Sequence, residues 1–249
     1  MDNKKKKKKK IGRYLVLALF LGIIVYITGN NLQNYVVKLP FFSVKQIQIR
    51  GNNLVDTDYL LSIAEPYLGK SIFEIDKSDL KLRYQAVSRI KEIECQKILP
   101  SKLIVKIKER EGLFFVLNQS GEYFPIDQDK IVLDKSDWYI REDLPLININ
   151  IPKDKLVLGQ AVDDRRIDFV FQVYELLVKA DSRFITDISE FYLKNNELHL
   201  VDIKSKSIVI FNTNNLEEQI PRYFFIRENQ GFKRNSIIDL RFNSQIIIS

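Results

Sequence analysis

Apolar and polar positions change their period several times along this chain. Ile11 to Thr28 is an almost unbroken apolar run whose only charge, Arg13, stands near its start. As a helix these 18 residues rise ~27 Å, close to the hydrocarbon thickness of a bilayer. Tyr14 and Tyr26 lie near the two ends, where tyrosine suits the membrane interface. After a connector ending at Pro40 the period becomes two. Ile47 and Ile49 alternate with Gln46, Gln48 and Arg50, as in a half-buried strand. Gly51-Asn52-Asn53 marks a turn. Asp56 or Thr57 then caps a short helix with Leu60, Ile63 and Ala64 on one face, ended by Pro66 and Gly69. Ile72, Phe73 and Ile75 in the following linker are expected in the core. Asp76 or Ser78 opens a second helix with Leu80, Tyr84 and Val87 on one side. "IKEIECQKIL" and "SKLIVKIKERE" read as strands joined at Pro100-Ser101, so residues 41–111 give strand, helix, helix, strand, strand.

From Gly112 onward strands dominate. "GLFFVLNQSGEYFPIDQDKIVL" predicts three strands separated by a Ser-Gly turn and an Asp-rich turn. Asp163 is expected to cap an amphipathic helix carrying Ile167, Val170, Phe171, Tyr174, Leu177 and Val178 on one face. "EFYLKNNELHLVD" and "SIVIF" are strands, and "NLEEQIPRYFFIREN" is a short helix. In that helix Asn215 and Glu218 have capping-box spacing, and Pro221 is expected to kink it. "IIDLRFNSQIIIS" reads as one last strand, with Ile238, Leu240 and Phe242 on one face and Asp239, Arg241 and Asn243 on the other. An apolar terminal strand without Pro or Lys at a sheet edge invites pairing with an added strand. The competing reading is that Ile246, Ile247 and Ile248 close the core. The fold class is α+β: an N-terminal transmembrane helix, a β-α-α-β-β domain, and a mixed β domain with an amphipathic helix and a C-terminal edge strand.

Charge sharpens this organisation. The chain has 39 Lys+Arg against 32 Asp+Glu, a formal +7. Lys4 to Lys10 and Arg13 against Asp2 supply all of it, leaving 31 basic and 31 acidic residues in the remainder. A nucleic-acid-binding domain spreads positive charge over a folded face, so no nucleic acid is expected as a partner. Basic residues flanking a first span stay on the cytoplasmic side. Residues 1–10 therefore read as a cytoplasmic tail, residues 11–35 as signal anchor and connector, and everything beyond as translocated. The alternative is a cleavable signal peptide, but "YITGNNLQNY" offers no Ala-x-Ala-like site. The lysines also attract anionic lipid, at ~1 kcal/mol per basic residue near the surface.

Little in the sequence points to bond-making chemistry. Cys95 is the single cysteine, so no internal disulfide framework exists. His199 is the single histidine, so triads and most zinc sites lack their parts. It is expected to project from the strand face opposite Leu198 and Leu200. No Gly-rich phosphate loop is present. Asp127-Gln128-Asp129 and Asp163-Asp164 admit a cation reading, but a turn and a helix cap explain them, and no ligands follow at EF-hand spacing. No catalytic, cofactor-binding or metal residue is assigned, and no small-molecule substrate is expected.

The order β-α-α-β-β in about seventy residues just outside an anchor resembles a POTRA domain. "FSVKQIQIRGNNLV", "GKSIFEID" and "ILPSKLIVKIKERE" resemble the POTRA domain of the bacterial division protein FtsQ, called DivIB in Gram-positive bacteria. Gly112 stands where that family often has proline after the Glu109-Arg110-Glu111 closing. "LPLININ" resembles its Leu-Pro-led segment without the usual glycine. Asp239-Leu240-Arg241-Phe242 resembles a signature near the end of its β domain. The resemblance implies a POTRA domain at 41–111, a β domain at 112–249, and a non-enzymatic single-pass scaffold of the cytoplasmic (inner) membrane at the division septum. It implies that the terminal segment recruits the FtsB–FtsL coiled-coil pair, alongside other divisome components. Carried over, the partner-binding residues are Asp239, Leu240, Arg241, Phe242, Asn243, Ser244, Gln245 and Ile246. Phe242 would be an aromatic anchor, Arg241 would pair with an acidic partner residue, and Gln245 stands where glycine is frequent.

Two other classes are less well matched. POTRA proteins that handle polypeptides in secretion or outer-membrane assembly usually carry several such units and a β-barrel, for which strands are too few here. A cell-wall enzyme would need catalytic residues that are missing. Topology gives a direct test. A reporter fused after Ser249 should be active only on the outer side of the membrane, and replacing Lys4 to Lys10 by Gln should mix the orientations. Reporter activity confined to the cytoplasm would reverse the assignment.

Overall fold

The computed structural model describes residues 22, 26, 37–135, 143–195, 197–229, 235–242 and 245–249. Among them no helix is long and apolar enough to cross a membrane. The expected span at 11–28 lies outside the described residues, apart from Gly22 and Tyr26, as does the lysine tail. The chain divides into two compact units. One holds residues up to 51, 57–83 and 93–107; the other holds 52–56, 84–92 and 108–249.

The first unit is built on strand β1 (Gln46–Arg50), which runs parallel to β3 (Lys102–Glu109) with Ile47 opposite Leu103 and Ile49 opposite Val105. Strand β2 (Ile90–Ile98) lies on the other side of β3. Helix α1 (Thr57–Ala64) buries Leu60 and Ala64. Helix α2 (Lys77–Gln85) buries Leu80 and Tyr84. Of the two candidate caps for α2, Asp76 is the one: its carboxylate accepts the Ser78 amide at 2.8 Å and its carbonyl accepts the Leu80 amide. Ile72 and Ile75 are buried as expected. Phe73 corrects the expectation, being 44% exposed. The Ile72 amide is bonded to the Phe42 carbonyl, and residues 71–74 make a turn closed by the Glu74 amide on the Ser71 carbonyl at 3.0 Å, which leaves Phe73 at its outer corner.

The loop after β1 depends on two particular residues. Gly51 has φ +85°, and a Cβ there would stand 2.3 Å from the Ile107 carbonyl oxygen. The Glu109 carboxylate accepts the amides of Asn53, Leu54 and Val55 at 2.9, 2.7 and 2.9 Å. Those bonds satisfy donors that a turn leaves without strand partners.

The second unit carries, among the described residues, a mixed eight-stranded sheet. Its strands are β4 (Phe114–Asn118), β5 (Tyr123–Ile126), β6 (Leu146–Ile151), β7 (Ile188–Lys194), β8 (Glu197–Asp202), β9 (Ser207–Phe211), β10 (Ile237–Asp239) and β11 (Ile247–Ile248), in the order β11-β10-β9-β8-β7-β6-β4-β5. Helices α3 (Arg165–Ala180) and α4 (Leu216–Asn229) share a core with Phe114, Val116, Ile147, Phe191, Leu198 and Leu200. Phe114 meets Phe171, Tyr174 and Phe191 edge to face, with centroids 5.0 to 5.8 Å apart. On the other sheet face two rows run in register. One is Phe115, Leu146, Glu190, Val201, Ile208 and Ile237; the other is Asn148, Tyr192, His199, Ile210, Asp239 and Ile247.

Three further expectations are corrected. The run after the Asp-rich turn does not make a third strand. Ile131 and Val132 form only isolated bridges, Val132 to Ile126 at the end of β5 and the others to Ala161 and Leu158 in a loop. Asp164, not Asp163, caps α3: its carboxylate accepts the Arg166 amide at 3.0 Å and grips the Arg166 guanidinium at 2.8 Å. That partner holds the Asp164 carboxyl down at about 2. The terminal segment is two short strands instead of one, and β11 folds back antiparallel on β10. Helix α4 continues through Pro221, and the Asn215 carbonyl accepts the Glu218 and Gln219 amides at its start.

Gly51→Ala should lower the stability of the chain by at least ~2 kcal/mol, measured as a shift in denaturant midpoint. It adds a left-handed penalty to a backbone clash that no rotamer can relieve.

Candidate functional site

The C-terminal edge is assembled from several elements. Strand β9 leads into α4, and the chain returns as β10, parallel to β9 with Ile238 opposite Val209. Leu240 follows, fully buried in the core, with its amide bonded to the Ile210 carbonyl at 3.1 Å. The chain then turns, and its next three carbonyls are held by side chains. Arg222 on α4 donates to the Leu240 and Phe242 carbonyls at 3.4 and 2.8 Å. Asn212, just past β9, donates to the Arg241 carbonyl at 2.9 Å. Buried Gln219 in turn grips Asn212, donating to its Oδ1 at 3.0 Å.

The expected binding residues therefore divide. Asp239 and Leu240 are buried. Arg241 is already engaged: its guanidinium pairs with Asp239 and with Glu197, and lies 6.0 Å from the Phe242 ring. Phe242 is 42% exposed and Gln245 is exposed. Ile246 is half-buried against the core. Asn243 and Ser244 lie outside the described residues. Ile237, Ile247 and Ile248, absent from the expected set, are exposed alongside. The apolar "QIIIS" at a chain end was the available signal for the last two. Nothing local marked Arg222, Asn212 or Gln219, whose contacts with the turn or with each other are made across sequence.

Among the described residues, the outer strand at this end of the sheet is β11. Ile237 and Ser249 exchange both backbone bonds, at 2.9 and 3.1 Å. Pairing alternates along an antiparallel ladder, so the N–H and C=O of Ile248 point away from β10, off the end of the sheet.

The residues that admitted a cation reading have other partners. Asp127 pairs with Arg110 at 2.5 Å and accepts the Asp129 and Ile131 amides. Asp129 pairs with Lys91 and Arg110, which lowers its pKa. Among the described residues no three His, Cys, Asp or Glu side chains are grouped to hold a metal ion. His199 does project opposite Leu198 and Leu200. It is nevertheless buried, stacked on Tyr192 at 4.8 Å, and neither ring nitrogen finds a hydrogen-bond partner among the described residues.

Residues 42–110 match the family described as POTRA domain, FtsQ-type. Over 158 residues the chain is 25% identical to the cell division protein DivIB of Clostridium acetobutylicum, covering 61% of each. It is 27% identical over 203 residues to DivIB of Clostridium botulinum strain Hall, covering 80% of this chain and 73% of that one. It is 22% identical over 190 residues to the cell division protein FtsQ of Syntrophotalea carbinolica, covering 74% and 60%. Residues 42–110 thus match an FtsQ-type POTRA domain, and the chain is similar to proteins of the FtsQ/DivIB family. The FtsQ-type POTRA match runs from Phe42, just before β1, to Arg110, just after β3. The alignments with the first and third of these FtsQ/DivIB relatives span about three-fifths of their length.

Burial is the largest influence on His199, and with Lys194 it pushes the pKa below 6.5 against the pull of Asp239. The sign follows: as pH falls through about 6.5 the unfolded chain binds a proton that the folded one resists, so stability falls. The depressed carboxylates Asp164 and Asp202 act only below about pH 4. Between pH 7.5 and 5.5 His199→Phe should flatten the loss, which is at most ~1.4 kcal/mol per pH unit from this group. An unchanged slope in denaturant midpoints would show that His199 is not the titrating residue.

Proposed function

We propose that this chain is a non-enzymatic scaffold of bacterial cell division. In this reading an anchor at 11–28 holds it in the cytoplasmic membrane with the N-terminus inside. A POTRA domain at 41–111 and a β domain at 112–249 stand outside, at the septum. The β domain captures the FtsB–FtsL pair of bitopic division proteins and positions it among other divisome components. Support comes from the FtsQ-type match at 42–110 and from relatives named cell division proteins. The observation that carries the partner site is the terminal edge, where Phe242, Ile247 and Ile248 are exposed beside a strand with one side unpaired among the described residues.

The capture surface proposed here is shifted relative to the family-matched stretch. The carbonyls of Leu240, Arg241 and Phe242 are already bonded inward, so an added strand would align with β11, and Phe242 would supply a side-chain anchor. Arg241→Glu is a poor probe, since it would set a third acid beside Asp239 and Glu197. Proline substitution separates binding from folding. Ile248→Pro removes a donor that points off the sheet, whereas Ile247→Pro removes one that faces Asp239. Ile248→Pro should abolish capture of the FtsB–FtsL pair from membranes with the melting temperature unchanged. Phe242→Ala should weaken capture by ~30-fold or more, the effect of losing an aromatic hot spot of ~2 kcal/mol. Full capture by both folded variants would refute the edge as the partner site.

A further inference from the structure

We propose that the part of the first unit around Phe41 and Phe73 rests on the bilayer surface, recognising anionic lipid beside the point where the chain leaves the membrane. This rests on the anchor reading above and adds a second membrane contact to it. Pro40–Phe42 forms a single 3-10 turn. Phe41 meets Phe42 edge-on at 5.1 Å, and Phe42 meets Phe73 at 5.0 Å. Phe41 is 60% exposed, and Leu39 and Phe73 are exposed beside it. Aromatic side chains gathered in the open mark an interaction surface, and their class favours the membrane–water interface.

The patch is built rigidly. Ser71 Oγ donates to the Val37 carbonyl at 2.6 Å, Ile72 N–H to the Phe42 carbonyl at 2.8 Å, and Val44 N–H to the Lys70 carbonyl at 2.9 Å. Lys97 Nζ reaches the Phe73 carbonyl at 3.4 Å. With the turn that the Glu74 amide closes on the Ser71 carbonyl at 3.0 Å, these bonds hold Phe73 outward although its neighbours Ile72 and Ile75 are core residues. Holding two rings in water is unfavourable, so a segment fixed this way is preorganised for a contact.

Two observations select lipid as the occupant. The first is reach. Phe41 follows Thr28, the end of the apolar run, by 13 residues, at most ~45 Å of extended chain. The patch is therefore tethered beside the membrane at high effective concentration. The second is charge. Lys38, Lys70 and Lys97 surround the rings, against Glu74, and each lysine near an anionic leaflet is attracted to it.

Site-directed spin labelling of the full chain tests the proposal. In a Cys95→Ser background, nitroxides are placed at Phe41→Cys, Phe73→Cys and Leu39→Cys, all exposed sites. A control is placed at exposed Arg50→Cys, five residues beyond Lys45 at the far end of β1 and ~17 Å away along the strand. The proteins are reconstituted into vesicles of phosphatidylethanolamine and phosphatidylglycerol. Relaxation by an aqueous nickel chelate should be lost at 41, 73 and 39 and retained at 50. Equal relaxation at all four sites, in a chain that resists carbonate extraction, overturns this proposal and leaves the anchor standing. A chain released by carbonate overturns the anchor reading and this proposal with it. Protection found in native membranes but not in lipid-only vesicles assigns the patch to a protein partner and also overturns it.

Discussion

The burial of Leu240 governs the C-terminal edge. Strand β10 has only three residues, too few to be held by its ladder alone. Inserting Leu240 into the core contributes about 1.5–3 kcal/mol and brings the chain to the end of the sheet, where the carbonyls that follow have no strand to meet. Arg222, Asn212 and, behind it, Gln219 supply the missing donors. The charge-assisted bond from Arg222 is worth roughly 1.5–3 kcal/mol, and the neutral ones about 0.5–1.5 kcal/mol each. The edge thus takes its shape from α4 and from the end of β9, and Phe242 is left facing solvent because its own backbone is tied down.

The same economy applies to charge. Outside the tail the chain is neutral, and its buried carboxylates have partners, as the cost of an isolated buried charge requires. Asp202 is fully buried on β8. Burial works against its charge, but bonds from Tyr223 and Ser205 and the Arg227 cation keep its pKa below the ordinary range. Arg227 also reaches Asp187 at 2.5 Å, so one guanidinium on α4 joins the start of the strand pair β7–β8 to its end. Asp127, Asp164 and Asp239 repeat the pattern with Arg110, Arg166 and Arg241. A cation at any of them would have to displace an arginine already in place.

How much of this was legible depended on whether the cause was local. The alternation at Ile47 and Ile49, the stripe from Ile167 to Leu177, and the Pro100 hairpin are signals within one element, and the structure reproduces those elements. Phe73 misled because an apolar residue between two core isoleucines carries no mark of direction; the turn that the Glu74 amide closes on the Ser71 carbonyl sets it. Asp163 and Asp164 are equal as caps until Arg166 selects one. The single terminal strand misled for a deeper reason. "LRFNSQ" contains neither Gly nor Pro, and its Asn243-Ser244 is a weaker turn signal set between apolar residues. The turn is imposed by Arg222 and Asn212, 18 to 29 residues upstream of the carbonyls they hold. Phe242 and the isoleucines were visible as an apolar end, but which of their neighbours were already engaged was not.

The length of β11 decides what kind of contact the proposed partner site can make. Two residues give almost no ladder, which protects the edge from pairing indiscriminately with other chains. It also means that backbone bonds to Ile248, at about 0.5–1.5 kcal/mol each, contribute only a small part of the ~8 kcal/mol that micromolar capture needs. Side chains have to contribute the rest. Phe242 at the start of the turn and Ile237, Ile247 and Ile248 on the strands are the exposed apolar groups within reach, and they lie on both faces of the edge because Ile247 and Ile248 alternate. A partner that gripped only the backbone would be weak and unselective. One that closed over both faces, with an aromatic seat for Phe242, would be selective in spite of the short strand, because the strand sets its register and the side chains supply its affinity.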